Sequence, residues 1–154
     1  MQIQPPDKEN KYIIFALIFM LSNQLQTIGD SFFEEISTKQ WFILLMLSAM
    51  GDYVPTLTEL SEAVGSSHQN VKQLVLKLEQ RGYVEIKKDE EDGRRLRIKA
   101  TPKCGEFHTA YEQKSAKFMN KMFGNLKEKD LDITLKVMLS LKDTVKGMEK
   151  DYVR

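Results

Sequence analysis

Apolar residues recur at helical spacing over most of the chain, and in one stretch the period drops to two. Both periods meet between Thr56 and Thr101. Thr56-Leu57-Thr58-Glu59 has the capping-box pattern, in which a threonine hydroxyl and a glutamate three residues on satisfy orphan backbone donors reciprocally. A short helix is predicted from about Leu57 to Val64, closed by Gly65, which takes positive φ at no steric cost. Ser66 and Ser67 offer hydroxyls to cap a further helix from about Ser67. Along it Val71, Leu74, Val75 and Leu78 form one apolar face, while His68, Gln69, Asn70, Lys72 and Gln73 crowd the first turns on the other side. Those polar groups can read base edges.

Two alternating runs follow, Tyr83 to Lys88 and Arg94 to Ala100, joined by Asp89-Glu90-Glu91-Asp92-Gly93. The alternation predicts a hairpin with Val84, Ile86, Leu96, Ile98 and Ala100 on its buried side and Lys87, Arg95, Arg97 and Lys99 on the other. A helix-turn-helix with a basic wing is the expected architecture, and duplex DNA is the partner it fits.

The flanking segments are helical in pattern. After Pro5-Pro6-Asp7, a first helix is predicted from about Lys8 to Ile28 or a little beyond, apolar all round from Ile13 to Leu21, so it needs burial on every side. Burial between two subunits answers that need, which makes a homodimer the expectation; the core helix of a monomeric bundle is the alternative. Gly29 to Ile36 reads as a connection with some helical content. Ser37 and Gln40 then open a helix that runs to about Met50 and stops at Gly51-Asp52. Tyr53-Val54-Pro55 is expected to add a third strand to the hairpin. Beyond the wing, Thr101 as cap and Pro102 at the first helical position begin a helix that reaches Gly124. A last helix is expected from Leu131 to Met148, with Leu131, Leu135, Met138, Leu139, Leu141 and Val145 on its inner face.

Composition narrows the function. The 154 residues are 42% apolar, enough for one domain with its own core, and 23 basic side chains nearly balance 22 acidic ones. Overall charge therefore does not announce a nucleic-acid partner. Locally it does, since His68 to Lys103 holds ten Lys/Arg against six acids, a net of +4. A single cysteine, Cys104, excludes an internal disulfide and points to a reducing, cytoplasmic setting. The unbroken apolar run Tyr12 to Leu21 is about half the ~20 residues that span a bilayer, so no membrane role is expected. Metal sensing needs three or four clustered ligands, and His68 and His108 lie on different elements. No serine or cysteine stands with a histidine and carboxylate at catalytic spacing, and no glycine-rich phosphate loop is present, so neither catalysis nor a cofactor is expected.

The order of elements, with Leu60, Gly65, Ser67, Val71, the junction Leu78-Glu79-x-x-Gly82-Tyr83-Val84 and above all Asp92-Gly93-Arg94-Arg95-Leu96-Arg97-Ile98-Lys99-Ala100-Thr101, resembles the MarR family of bacterial winged-helix transcriptional regulators. The specific part of the resemblance covers Thr56 to Gly105. It implies a mainly α chain with a small β-wing, an α+β fold: a winged helix-turn-helix over 37–100, with dimerisation helices over 8–33 and 101–150. It further implies a homodimer, a ligand-responsive repressor whose two recognition helices enter successive major grooves of a pseudo-palindromic operator, about 34 Å apart. Ser66, Ser67, His68, Gln69, Asn70, Lys72, Gln73, Arg94, Arg95 and Arg97 are the expected DNA contacts. Arg94 would reach the minor groove, oriented by Asp92. A small aromatic or apolar effector is expected near Trp41 and Tyr111.

Three departures from the family pattern stand out. Ser66 replaces an apolar residue after the turn glycine, the wing tip carries four acids in succession from Asp89 to Asp92, and Cys104 stands where the family places glycine. Cys104 is a candidate redox sensor, because a helix N-terminus and Lys103 would stabilise a thiolate. The family's peroxide sensors keep their cysteine near the first helix, where this chain has none, so an incidental thiol is favoured. A winged helix can also dock proteins, in which case the basic wing would meet an acidic surface.

Overall fold

The computed structural model describes residues 10–152. Pro5-Pro6-Asp7 and the expected helix start at Lys8 lie outside them. The element order is α1 (Asn10–Phe32), α2 (Thr38–Ala49), α3 (Leu57–Val64), α4 (His68–Gln80), β1 (Val84–Lys88), β2 (Leu96–Ala100), α5 (Pro102–Phe123) and α6 (Glu128–Tyr152). The fold is mainly helical, as expected, with one two-stranded antiparallel sheet. The chain divides into two compact units, up to Phe107 and from His108.

The first unit holds the core. Ile43, Leu44 and Leu47 of α2, Leu57 and Leu60 of α3, and Val71, Val75 and Leu78 of α4 are all buried against one another and against Tyr83, Val84 and Ile98. Two capping boxes start the helices where the sequence placed them. Ser37 accepts from the Gln40 amide while Gln40 accepts from the Ser37 amide, and Thr56 and Glu59 do the same for α3. Gly65 closes α3 at φ 64°, in the left-handed region where a Cβ is penalised. Ser67 caps α4 by accepting from the Asn70 amide.

Several expectations are corrected. α1 ends at Phe32, so the helical content expected past Gly29 belongs to this helix. Gly29 is a point of close approach instead: a Cβ there would lie 2.3 Å from the Thr38 hydroxyl oxygen. That hydroxyl lies 2.8 Å from an Asp30 carboxylate oxygen and 3.0 Å from the Gln26 carbonyl, tying the end of α1 to the start of α2. Tyr53-Val54-Pro55 does not become a third strand. The Pro55 carbonyl accepts from the Ile98 amide, and the next residue, Thr56, makes one isolated bridge with Arg97. Proline has no amide to extend the ladder. Thr101 precedes α5, but its hydroxyl donates to the Gly82 carbonyl at 2.7 Å, pinning the helix start to the α4–β1 turn.

α1 is apolar all round, yet none of its residues is buried by its own chain, and Phe15 and Phe19 are 64% and 59% exposed, against the alternative of a core helix in a monomeric bundle. At 23 residues it is also long and apolar enough to cross a membrane by length and composition alone. In the second unit, α6 likewise exposes Leu135, Met138, Leu139 and Val145, residues expected on an inner face.

The α1–α2 junction yields two predictions. Gly29→Ala gains up to ~1 kcal/mol of helix propensity but forces Thr38 aside, an overpacking cost of about 1–3 kcal/mol that should win. Chemical unfolding should show a lower midpoint, and a raised one would refute the close approach. Asp30 accepts the Thr38 amide at 2.7 Å, and that bond and the hydroxyl hold its carboxyl below the ordinary value. A depressed native pKa contributes stability above the ordinary carboxylate range that is lost as pH falls through the native value. Asp30→Asn should therefore show a shallower loss of thermal stability on acidification below about pH 4 than the unaltered chain; parallel curves would remove Asp30 from the junction.

Candidate nucleic-acid interface

The surface of α4 is set by what its other face buries. With Val71, Val75 and Leu78 inward, the helical period leaves His68, Gln69, Asn70, Lys72 and Gln73 exposed. Five polar side chains thus share the first turns on the solvent side. Asn70 is held in place, since its side-chain amide donates to the Ser66 hydroxyl at 2.8 Å. Ser66, the residue that departs from the family pattern, therefore orients a potential base-reading amide.

β1 and β2 pair in register from Val84 with Ala100 to Lys88 with Leu96, which sets Ile86 opposite Ile98. Beyond the ladder, the Asp92 carboxylate organises the tip. It accepts the Arg94 amide at 3.1 Å and lies 3.7 Å from the Arg94 Nε and 3.4 Å from the Arg95 Nε. The Arg94 side chain is 97% exposed. Arg94 thus projects from a turn that Asp92 braces.

Arg97 does not behave as a free outward cation. Its Nε donates to Asp89 and its Nη1 donates to the Val54 carbonyl at 2.7 Å. Alternation placed it correctly on the ribbon, but a long side chain can turn back, and this one does. Asp89 was likewise expected at the acidic tip. It is buried, accepting the amides of Glu91 at 3.0 Å and Asp92 at 2.9 Å as well as the Arg97 guanidinium. Those bonds hold its carboxyl below the ordinary range, the Asp92 amide contributing most. An aspartate two residues before a turn amide is an Asx-turn signal, so this role was legible in the local sequence.

The remaining candidates divide between the units. Trp41 stacks on Phe33 at 5.2 Å, and Phe33 in turn meets Phe107 at 5.9 Å, so Trp41 belongs to an aromatic group in the first unit. Tyr111 belongs to the second unit, with the Lys114 ammonium 5.4 Å from its ring centre. Cys104 is buried, and burial pushes its thiol pKa up, the reverse of what a reactive thiolate needs. Lys103 gives the thiol no help either: its ammonium donates to the Arg81 carbonyl at 2.9 Å and sits over the Tyr83 ring. Among the described residues no three His, Cys, Asp or Glu cluster as a metal site would require.

Comparison with known proteins follows the same outline. The sequence model of the MarR family matches residues 35–95, the segment from the end of the α1–α2 connection to the wing tip. A search of curated protein sequences finds no relative. Among solved structures, a MarR protein from Peptoclostridium difficile superposes with a TM-score of 0.79 at 21% identity, over 96% of this chain and 94% of that one. The PcaV transcriptional regulator from Streptomyces coelicolor, in complex with its natural ligand, matches with a TM-score of 0.76 at 18% identity, over 92% of this chain and 99% of its own. The S. aureus MepR–DNA complex matches with a TM-score of 0.72 at 22% identity, over 81% and 95%. Identities this low speak for the fold, and the matched segment speaks for the family. Residues 35–95 match the MarR family, and the chain shares the winged-helix fold of the MarR-family regulators on which it superposes.

Proposed function

We propose that the protein is a sequence-specific, cytoplasmic repressor that binds a pseudo-palindromic operator as a homodimer and leaves it when a small aromatic or apolar effector binds. The observation that carries this reading is the pairing, within one unit, of an exposed polar first turn on α4 with a braced, projecting Arg94. Gln69 and Asn70 hold adenine edges, His68 and Lys72 donate to guanine or phosphate, and Ser66, Ser67, Gln73 and Arg95 lie alongside them. MepR, seen with DNA, supports this use of the fold.

Dimerisation answers the exposure of α1. Phe15, Leu17, Phe19 and Leu21 lie bare on a 23-residue helix, and contiguous apolar surface of that kind marks an interface. α1 and the helices beyond the wing would then serve as the dimerisation part, and 37–100 as the DNA-binding part. The effector reading rests on the aromatic group around Trp41 and on PcaV, seen with its natural ligand.

Arg94→Ala should weaken binding to duplexes selected from a random-sequence pool by about tenfold or more, in fluorescence titration at fixed salt. Unchanged affinity would remove the wing from the interface. Sedimentation at micromolar concentration should find two copies of the 17.9 kDa chain. A lone subunit that still binds such duplexes tightly would contradict the dimeric reading.

A further inference from the structure

The wing is too small to stand by itself. Two strands of five residues each make a ribbon that is marginal in water unless something packs against it. Val84 and Ile98 anchor its base in the core, but the outer end, where Lys88 pairs with Leu96, lies away from those anchors. One side chain bridges that end to the helix-turn-helix. Arg97 donates to Asp89 at the start of the tip and to the Val54 carbonyl in the segment that leads into α3. The contact continues on the far side of Val54. Thr56 bridges Arg97 and begins α3, and its capping partner Glu59 accepts both the Thr56 amide and the Tyr53 hydroxyl, each at 2.7 Å. The Arg97 guanidinium thereby ties the wing tip to the segment leading into α3, beside the backbone bond from the Ile98 amide to the Pro55 carbonyl.

We propose that Asp89 and Arg97 form a latch that sets the stance of the wing against the helix-turn-helix, making Arg97 a positioning residue for the DNA contact at Arg94 and not a DNA contact itself. This rests on the DNA-binding reading above. Asp89 is only 8% exposed, so its charge is directed into the protein and away from an incoming phosphate. The same carboxylate gathers the Glu91 and Asp92 amides, and Asp92 braces Arg94. A displaced Asp89 would release the turn from which Arg94 projects. Arginine suits the post, because its planar fork serves a carboxylate and a carbonyl at once, which a lysine ammonium on a flexible stem does not reproduce.

Charge alone and the latch predict opposite signs for one substitution. Asp89→Asn removes a negative charge from a DNA-facing element, so a wing acting only through its field should bind DNA more tightly. The latch predicts weaker binding, by about fivefold or more. Arg97→Lys keeps the charge and should weaken binding similarly. Duplex titrations at fixed salt, run well below each variant's thermal midpoint, should also show that Arg94→Ala costs far less in the Asp89→Asn background than alone. That coupling is not produced by a general loss of stability. Tighter or unchanged binding of Asp89→Asn, or an equal cost of Arg94→Ala in both backgrounds, overturns the latch while duplex binding by the unaltered chain stands. If the unaltered chain shows no salt-steep affinity for duplex DNA, the DNA-binding reading fails first, and the latch falls with it.

Discussion

Burial of Val71, Val75 and Leu78 is the constraint from which the rest of the molecule follows. Burying each is worth about 1.5–3 kcal/mol, so rotating α4 to present another face would cost several kcal/mol. That is a large share of the roughly 5–15 kcal/mol that stabilises a whole domain. The helix therefore has one permitted orientation, with Gln69, Asn70 and Lys72 outward. Thr56, Gly65 and Ser67 fix where α3 ends and α4 begins, and so place those side chains along the axis as well as around it.

The wing depends on that arrangement in a different way. Ile98 and Val84 join it to the same core, while Tyr83 donates its hydroxyl to Glu35 at 2.6 Å and sets its ring edge-on to Phe107. The base of the ribbon is held by apolar packing and its far end by charge. Hydrophobic contact is non-directional and tolerates small rotations, whereas a guanidinium between a carboxylate and a carbonyl does not. Arg94, the proposed DNA contact, projects from the charged end.

Local rules carried the reading of the sequence far, and their failures share a cause. Capping boxes, the left-handed glycine and both periodicities involve neighbours within four residues, so Ser37, Thr56, Gly65 and the hairpin could be read directly. Gly29 misled because a glycine marks either a break or a close approach, and only the distant Thr38 decides which. Period-two alternation told on which face Arg97 leaves the strand, but not that its long side chain would return to Val54. Proline at position 55 was a visible obstacle to a third strand. The apolar girth of α1 was legible from Ile13 to Leu21, and its own chain leaves that surface bare.

The joint use of α4 and the wing is tested most directly by amide hydrogen exchange with and without a mixed-sequence duplex at low salt, where binding needs no knowledge of the operator. Protection should rise together over residues 66–73 and 92–95, with the amides of the buried core unchanged. Protection at only one of these segments, or at neither while the duplex is demonstrably bound, would contradict a winged helix that grips DNA with both parts at once.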